Sequence, residues 1–504
     1  MRSGLKYMRE RRNDLQGLRA LAVAGVVAYH FGISLVPGGF VGVDVFFVMS
    51  GYFITRMLLS EVERTGTIDL PRFWANRIKR LLPNGLLVIG ATATMAVVLL
   101  PTYRSQETLA DATAAALFLA NYHFAFAAVD YFHVGAPPSP LLHFWSLAVE
   151  EQFYLVTPVI LTLVLVARNL TTSRRLFAIT LTTIAIASFV ASIVQIQSDQ
   201  PAAFYLTPNR AWQLAIGGLV GLLRAPGRVR QSTAGGIGAW VGIALIVAAY
   251  TVLSDATIYP GYWALMPTIG TALLLANLES KGARPLMRFF AWSPFVKLGN
   301  ASYSVYLWHW PIIVILAAVA PGGGPIVVLI GLALTALLSY LAYRFVERPL
   351  HQFPLPAIGI GRTFAMGAAS LLLITIGSLG AAALPGRTQQ AVAEQIVLAS
   401  NDLGANYSNG AIANTSKPTS PRVWKVPQGV RGSFCSATVM LHNGSAQSRR
   451  LQRLAVGHSS LGPKPHAPPS TLRCGTAPNR PLTMSVIDGG RTGLPRYWRA
   501  LRSS

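Results

Sequence analysis

The first apolar segment of the chain, residues 15–35, contains two ionisable residues, Arg19 and His30. They are eleven positions apart, which in an α-helix is within about 20° of three full turns. Both side chains therefore lie on one helical face, about 16 Å apart along the axis. Ionisable residues inside apolar spans are costly and usually mark a functional site. Because imidazole is the usual general base near neutral pH, we predict that His30 deprotonates a hydroxyl group.

Each residue also has a simpler explanation. Arg19 alone is explained as an anchor whose guanidinium extends to the lipid phosphates at the edge of a helix. His30 alone is explained as a buried histidine that bonds a neighbouring carbonyl group. The two residues on one face favour a reaction centre over these alternatives.

A second group of polar side chains lies in LLHFWSLAVEEQFYL, residues 141–155. Spacings of three and four residues place four of them on one helical face. They are His143, Ser146, Glu150 and Tyr154. We predict that Glu150 pairs with His30, as an acid orients and charges an imidazole in a nucleophile–base relay. Glu151 points about 100° away and is the weaker candidate. The alternative is an interfacial helix whose glutamates face water.

Three further positions carry candidate residues. Arg77 and Arg80 are three apart in NRIKRLLP, just before an apolar span. Paired guanidiniums can grip a phosphate bidentately, although a positive-inside anchor also explains them. Asp44 and Ser50 lie inside the second apolar segment, and His309 lies in SYSVYLWHWP. We interpret these three as residues that line a cavity, since an aromatic belt explains the tryptophans beside His309 but not the histidine.

The composition indicates an all-α integral membrane protein. Of 504 residues, 52% are hydrophobic and only 12% are charged, with a mean hydropathy of +0.46. These values exclude an ordinary soluble enzyme and make the lipid bilayer the expected environment. The net charge of +24 comes from short loops and a basic tail. No aromatic-and-basic binding module is visible, so nucleic acid is not an expected partner.

Apolar segments long enough to cross a bilayer recur along the chain. They cover residues 15–35, 41–60, 83–101, 146–167, 176–195, 210–223, 237–253, 262–278, 301–320, 325–345 and 364–384. A further segment, 109–128, is ambiguous. If it does not fully cross, the positive-inside rule holds for every basic loop. Those loops are 61–82, 168–175, 224–230, 281–297 and 344–362.

We therefore predict about eleven transmembrane helices, with 109–128 half-inserted or interfacial. The basic N-terminus and the length of the first span predict a retained signal anchor with its N-terminus in the cytoplasm. The C-terminal tail is then extracytoplasmic. It holds the two cysteines, Cys435 and Cys474, which could form one disulfide there.

The predicted organisation has three parts. Residues 1–350 form the membrane domain, and residues 351–385 form a linker with an additional transmembrane helix. Residues 386–504 form a basic, low-complexity tail that is rich in Ser, Gly, Pro, Asn and Arg. Such a composition does not favour a packed domain, so we predict that the tail is largely unstructured.

Several motifs occur in an order that resembles one family, the bacterial membrane acyltransferase 3 family, over about residues 10–350. They are the Arg19-to-His30 spacing, FFVMSGY, RIKRLLP, FWSLAVEEQFY, the AWQLAIGG run after Arg210, SYSVYLWHWP, and VERP at residues 346–349. The resemblance implies transfer of an acyl group, usually acetyl from cytoplasmic acetyl-CoA, to a sugar hydroxyl of a surface or exported glycan.

The resemblance also implies roles for individual residues. Arg19 and His30 belong to the essential pair, Arg77 and Arg80 to the donor side, and Glu150 to the catalytic helix. Tyr154 and Arg210 are added to the candidate cavity-lining residues. No bound cofactor and no metal site are expected, and acetyl-CoA or another acyl-CoA enters as a co-substrate. The expected location is the bacterial inner membrane, with a multi-pass chain.

The chain is most similar to the subgroup that carries an extracytoplasmic SGNH-type domain after the last span. That domain needs a Gly-Asp-Ser block and a later Asp-x-x-His. In the tail, residues 457–460 read Gly-His-Ser-Ser, and Asp488 has no histidine three positions on. From Arg431 onward the tail has eleven Lys and Arg residues and one acidic residue. We therefore expect that the domain is missing, through a shift of reading frame after about Gly429.

Two other functions stay open on the sequence. A multi-spanning transporter or flippase of glycan or acyl precursors would also use ionisable residues along a helix face. The inverted repeats common in transporters are not visible between the two halves. An inactive, truncated paralogue is the third possibility, in view of the tail. The acceptor also stays open among lipopolysaccharide, peptidoglycan, exopolysaccharide and a glycolipid.

Overall fold

In a computed structural model the chain is described at residues 12–129, 137–167, 170–223 and 233–383, and every regular element there is helical. The predicted all-α architecture is confirmed. The predictions for the tail, including its low-complexity character and Cys435 and Cys474, lie outside the described residues.

Eight helices in these ranges are long and apolar enough to cross a membrane. They are Gly39–Thr65, Leu70–Leu99, Phe144–Val166, Ser173–Ser198, Gly235–Val252, Ser302–Val319, Pro325–Gln352 and Ile360–Ala381. Even 18 residues of helix extend about 27 Å, close to the thickness of the hydrocarbon core. The chain is therefore a multi-pass membrane protein.

We number the α-helices in chain order. The first nine are α1 Asn13–His30, α2 Gly42–Thr65, α3 Leu70–Leu99, α4 Thr102–Ala116, α5 Ala120–Val129, α6 Phe144–Ala167, α7 Leu170–Ser198, α8 Gln200–Tyr205 and α9 Thr207–Leu223. The others are α10 Thr233–Val252, α11 Leu265–Asn277, α12 Arg284–Phe290, α13 Ser293–Asn300, α14 Ser302–Val319, α15 Pro325–Ala342, α16 Arg348–Gln352, α17 Leu355–Ile358 and α18 Ile360–Ala383. A π-helical turn, Tyr343–Glu347, connects α15 to α16.

Each of the eleven predicted spans coincides with a helix. Three of these helices, α1, α9 and α11, are not among the eight long apolar ones. They have 18, 17 and 13 residues. At about 20 Å, α11 is shorter than the hydrocarbon core, and a 3₁₀ turn, Gly261–Ala264, precedes it.

The ambiguous segment 109–128 is not one helix. It is divided between α4 and α5, which are joined at residues 117–119, where Phe118 has a left-handed φ of 55°. The two helices have 15 and 10 residues, so their lengths are about 22 and 15 Å. Neither helix alone crosses a bilayer, as the prediction of a half-inserted segment requires.

Local sequence signals set several helix ends. Asp69 precedes α3 and accepts a hydrogen bond from the backbone N–H of Arg72 at 3.0 Å. Asp199 caps α8 in the same way, through the N–H of Ala202 at 2.9 Å. Gly66 ends α2 in the left-handed conformation, with φ of 77°. These are the side-chain N-caps and glycine C-cap that satisfy unpaired backbone groups at helix ends.

Close backbone contact between α2 and α9 sets the geometry of the membrane domain. A Cβ atom at Gly51 would lie 1.8 Å from the carbonyl oxygen of Leu214, and one at Gly217 would lie 1.9 Å from that of Val48. Small residues allow such contact between membrane helices, where van der Waals packing replaces the hydrophobic effect. The glycines of FFVMSGY and AWQLAIGG therefore hold together the two helices that carry Asp44 and Arg210.

We expect Gly51→Ala to lower the thermal unfolding temperature of the protein in detergent micelles. The added methyl group must push the α2 and α9 backbones apart, at a cost of about 1–3 kcal/mol. Gly377→Ala is the matched control, because a Cβ atom at Gly377 in α18 meets no atom within 4 Å. An unfolding temperature of Gly51→Ala equal to that of Gly377→Ala would contradict this packing.

Candidate active site

The larger of two neighbouring cavities has a volume of about 390 Å³ and is named here the arginine cavity. Helices α1, α2, α3, α6 and α14 supply most of its walls. Its charged lining residues are Arg19, Arg77, Arg80, Glu150 and Glu151. Its hydroxyl-bearing lining residues are Ser50, Ser146, Ser302, Tyr154, Tyr303 and Tyr306. The structure therefore brings the predicted donor-side arginines together with Arg19, Ser50, Glu150 and Tyr154.

The three arginines of this cavity differ in their partners. Arg77 donates to Glu151 at 2.8 Å, and its guanidinium lies 3.8 Å from the ring centroid of Tyr154. Among the described residues, Arg19 donates only to the amide oxygen of Gln16, at 3.3 Å. Within the described part of the chain, no carboxylate forms an ion pair with Arg19 or Arg80. These two guanidiniums are therefore available to an anion that enters the cavity.

Glu347 is a half-buried carboxylate of the VERP motif that was not predicted as a site residue. It belongs to the π-helical turn and accepts hydrogen bonds from Ser304, at 2.5 Å, and Asn84, at 3.4 Å. Its charge also acts on Arg19 and Arg80. The π turn, a conformation that is frequent at functional sites, is visible only in the structure, so residue types alone did not single out Glu347.

The smaller cavity has a volume of about 60 Å³ and is named here the histidine chamber. Its titratable and charged lining residues are His30, Asp44, His143 and Arg210. Its apolar and aromatic lining residues are Val43, Leu142, Phe40, Trp145, Phe204, Tyr259, Tyr306 and Trp310. Val43 and Tyr306 line both cavities, so one layer of side chains separates the two spaces.

His30 bonds to another histidine. Its Nδ1 atom lies 3.0 Å from Nε2 of His309, and its ring packs edge-on against Trp310, 4.7 Å between centroids. Nδ1 of His309 lies 2.6 Å from the backbone oxygen of Tyr306. His309 is fully buried and lies behind the chamber wall. His309, which was predicted to line a cavity, lines neither of these two cavities, and both of its ring nitrogens have partners inside the protein.

The structure does not bring Glu150 to His30. His143, just before α6, lies near His309, with 5.9 Å between ring centroids. Glu150 comes seven positions later, about 10 Å further along the helix axis, and lines the arginine cavity. The predicted pair of His30 and Glu150 is therefore wrong, because the two side chains lie at different depths in the helix bundle. Helical spacing correctly placed Ser146, Glu150 and Tyr154 on one wall of that cavity.

Glu151, the next residue of α6, also belongs to the site. The sequence ranked it below Glu150 because it points about 100° away. In the structure it also lines the arginine cavity, and it is the ion-pair partner of Arg77. The cavity surrounds more than one face of α6, so residues that differ by one position both reach it.

Asp44 and Arg210 form a buried ion pair in the wall of the histidine chamber. Their closest atoms are 3.4 Å apart, and both side chains are 1% exposed. Gln213 also donates to Asp44. Four aromatic rings surround the Arg210 guanidinium at 5.3–5.6 Å. They belong to Phe47, Trp145, Phe204 and Tyr259. Aromatic faces and a carboxylate together stabilise a cation in an apolar interior.

Comparison with known proteins adds to this geometry. The model of the acyltransferase domain family matches residues 12–344. The chain belongs to this family. The chain is 34% identical over 351 residues to the O-acetyltransferase OatA of Staphylococcus aureus, covering 67% of this chain and 57% of the relative. It is 31% identical over 363 residues to the peptidoglycan O-acetyltransferase OatA of Listeria monocytogenes, covering 70% of this chain and 58% of the relative.

The matched region includes every site residue named above except Glu347 and confirms the family that the ordered motifs indicated. The chain spans less than two thirds of the length of these curated relatives. No solved structure matches it. In the described ranges, no group of three or more His, Cys, Asp and Glu side chains could hold a metal ion.

We expect Asp44→Ala to lower the free energy of unfolding by about 3–5 kcal/mol, because it leaves the Arg210 charge buried without its carboxylate. The double variant Asp44→Ala/Arg210→Met removes both charges, so it should recover more than half of that loss. Thermal and denaturant unfolding in detergent micelles measure both effects. A double variant as unstable as Asp44→Ala would contradict the assigned ion pair.

Proposed function

We propose that this chain transfers an acetyl group from cytoplasmic acetyl-CoA to a hydroxyl group of a cell-wall glycan, peptidoglycan. One observation carries the proposal: Arg19 and His30 lie on one helix and line two cavities that share a wall. The first cavity has the charge expected for a phosphorylated donor, and the second holds a general base. The two relatives, which are 31–34% identical to the chain, are O-acetyltransferases, and one is a peptidoglycan O-acetyltransferase. This supports acetyl as the acyl group and peptidoglycan as the acceptor.

The arginine cavity is the proposed donor site. Arg19 and Arg80, which have no carboxylate partner among the described residues, bind the phosphate groups of the coenzyme. Arg77 joins them from its ion pair with Glu151. The pantetheine arm then extends along α1, because Arg19 and His30 are about 16 Å apart along the helix axis. This arrangement brings the thioester to the wall formed by Val43 and Tyr306.

The histidine chamber is the proposed site of transfer. His30 takes the proton of the acceptor hydroxyl as the oxygen attacks the thioester carbonyl carbon. The carbon–sulfur bond breaks, and the coenzyme leaves as a thiolate. The proton on His30 passes to this thiolate, directly or through water, so the coenzyme ends as a thiol and His30 is a free base again. A short-lived acyl group on His30 itself would lead to the same ester product. Asp44 and Arg210 hold the chamber wall in place rather than taking part in the reaction.

The experiment that tests the proposal supplies membranes with acetyl-labelled acetyl-CoA and a peptidoglycan acceptor. Wild-type protein should place the label covalently on the acceptor, and His30→Ala at equal expression should not. A transporter or an inactive paralogue would give no covalent label. Label transfer by His30→Ala at the wild-type rate would contradict the assigned base.

The same assay tests the donor site. Arg80→Gln should raise the KM for acetyl-CoA about ten- to a hundredfold, because one charge-assisted phosphate contact contributes about 1.5–3 kcal/mol. Arg64→Gln is the matched control, since Arg64 lies in the last turn of α2 and outside both cavities. An unchanged KM in Arg80→Gln would argue against phosphate binding in this cavity. So would an equal loss of rate in Arg80→Gln and Arg64→Gln that excess acetyl-CoA does not restore.

A further inference from the structure

We infer that His309 is a positioning residue that fixes the tautomer of His30 and makes Nε2 of His30 the nitrogen that receives the acceptor proton. The inference rests on the proposed function for its catalytic meaning. Its geometric basis is independent of any activity. It assigns a role to a side chain that lines neither cavity.

The direction of the hydrogen bonds follows from one carbonyl group. Nδ1 of His309 lies 2.6 Å from the backbone oxygen of Tyr306, and a carbonyl oxygen can only accept. Nδ1 of His309 must therefore carry a hydrogen. A neutral imidazole has one N–H, so Nε2 of His309 is a bare acceptor.

The acceptor nitrogen of His309 in turn fixes where His30 carries its hydrogen. Its Nδ1 atom lies 3.0 Å from the bare Nε2 of His309, so Nδ1 of His30 carries the hydrogen and donates it. In the neutral ring, Nε2 of His30 then holds the lone pair that can accept a proton. The two ring planes differ by only 22° and the ring centroids are 5.2 Å apart, which fits rings that lie edge to edge and share an in-plane N–H···N contact.

A doubly protonated His309 would reverse the assignment, and its surroundings oppose that state. His309 is fully buried, and none of the described carboxylates forms an ion pair with it. An imidazolium without a counter-charge is costly in such a place. The helix that carries His309 is also fixed in position, because Trp310 donates from Nε1 to the backbone oxygen of Ser139 at 2.8 Å.

In the pair of His30 and His309, one imidazole therefore holds the other in position. In the serine-protease triad an aspartate holds the histidine in the correct tautomer, and its amide variant leaves the geometry but reverses the tautomer. Here His309 supplies the acceptor in place of a carboxylate. When the acceptor O–H bond breaks, its proton goes to Nε2 of His30, and the Nδ1–H bond to His309 keeps the ring aimed at the chamber.

The kinetic test compares two replacements of His309 in the full chain. His309→Leu removes the acceptor, and kcat for acetyl transfer should fall about 10²–10⁴-fold. The KM for acetyl-CoA should stay within about twofold, because the arginine cavity is unchanged. His309→Gln keeps an amide oxygen that can accept from His30, so it should regain about tenfold or more of the lost kcat. His123→Gln is the matched control, because His123 pairs with Asp111 and lines neither cavity.

The spectroscopic test needs no activity. In protein labelled with ¹⁵N-histidine, the signals that disappear in His30→Gln belong to His30. Their chemical shifts should show a protonated Nδ1 and a bare Nε2 in the wild type. His309→Leu should change this tautomer balance, whereas His123→Gln should leave it as in the wild type.

Three results would overturn the inference. They are a protonated Nε2 on His30 in the wild type, a kcat of His309→Leu equal to the wild type, and a folded His309→Gln no more active than His309→Leu. A wild-type chain that binds acetyl-CoA but transfers no label would instead overturn the proposed function. The ¹⁵N spectra would still decide the tautomer in that case, and also if His309→Leu failed to fold.

Discussion

Charges inside a membrane domain are stable only where polar partners or a polar cavity surround them, and this constraint organises the whole site. The chain meets it in two places that share one wall. Arg77 pairs with Glu151, and Arg19 and Arg80 face a cavity beside Glu150 and Glu347. Asp44 and Arg210 pair within a shell of aromatic rings around the smaller chamber. The glycine contacts between α2 and α9 keep that second pair together, because they fix the helices that carry its two members.

The first helix, α1, contributes a residue to each of the two cavities. α1 carries Arg19 at one cavity and His30 at the next. In the proposed function, this single helix therefore sets the distance between the donor phosphate and the reacting hydroxyl. Tyr306 lies in the wall between the cavities, where its hydroxyl bonds Ser146 at 2.6 Å and its backbone oxygen holds His309. The wall and the orientation of the base therefore depend on the same turn of α14. Membership of the acyltransferase domain family accords with this division into a donor side and a base side.

Helical periodicity predicted much of this arrangement. It placed Arg77 with Arg80, and Ser146 with Glu150 and Tyr154, on walls that the structure confirms. Apolar length indicated a helix at each of the eleven predicted spans, and eight of these helices are long and apolar enough to cross a membrane. Periodicity gives angles around one helix but not the relative depth of two helices, so Glu150 was matched to the wrong partner. The pairing of His30 with His309 joins residues 279 positions apart and depends on tertiary packing. Glu347 was missed because a π turn places its carboxylate near the arginines, and residue types alone do not indicate such a turn.

The most direct test of the central claim is an experimental structure of the His30→Ala variant with acetyl-CoA in lipid nanodiscs. We expect coenzyme phosphates within hydrogen-bonding distance of Arg80 and Arg19 in the arginine cavity. We also expect the thioester at the wall formed by Val43 and Tyr306, facing the histidine chamber. Coenzyme density away from the arginine cavity, or a thioester that points away from that wall, would contradict the claim that the two cavities form one route for acyl transfer.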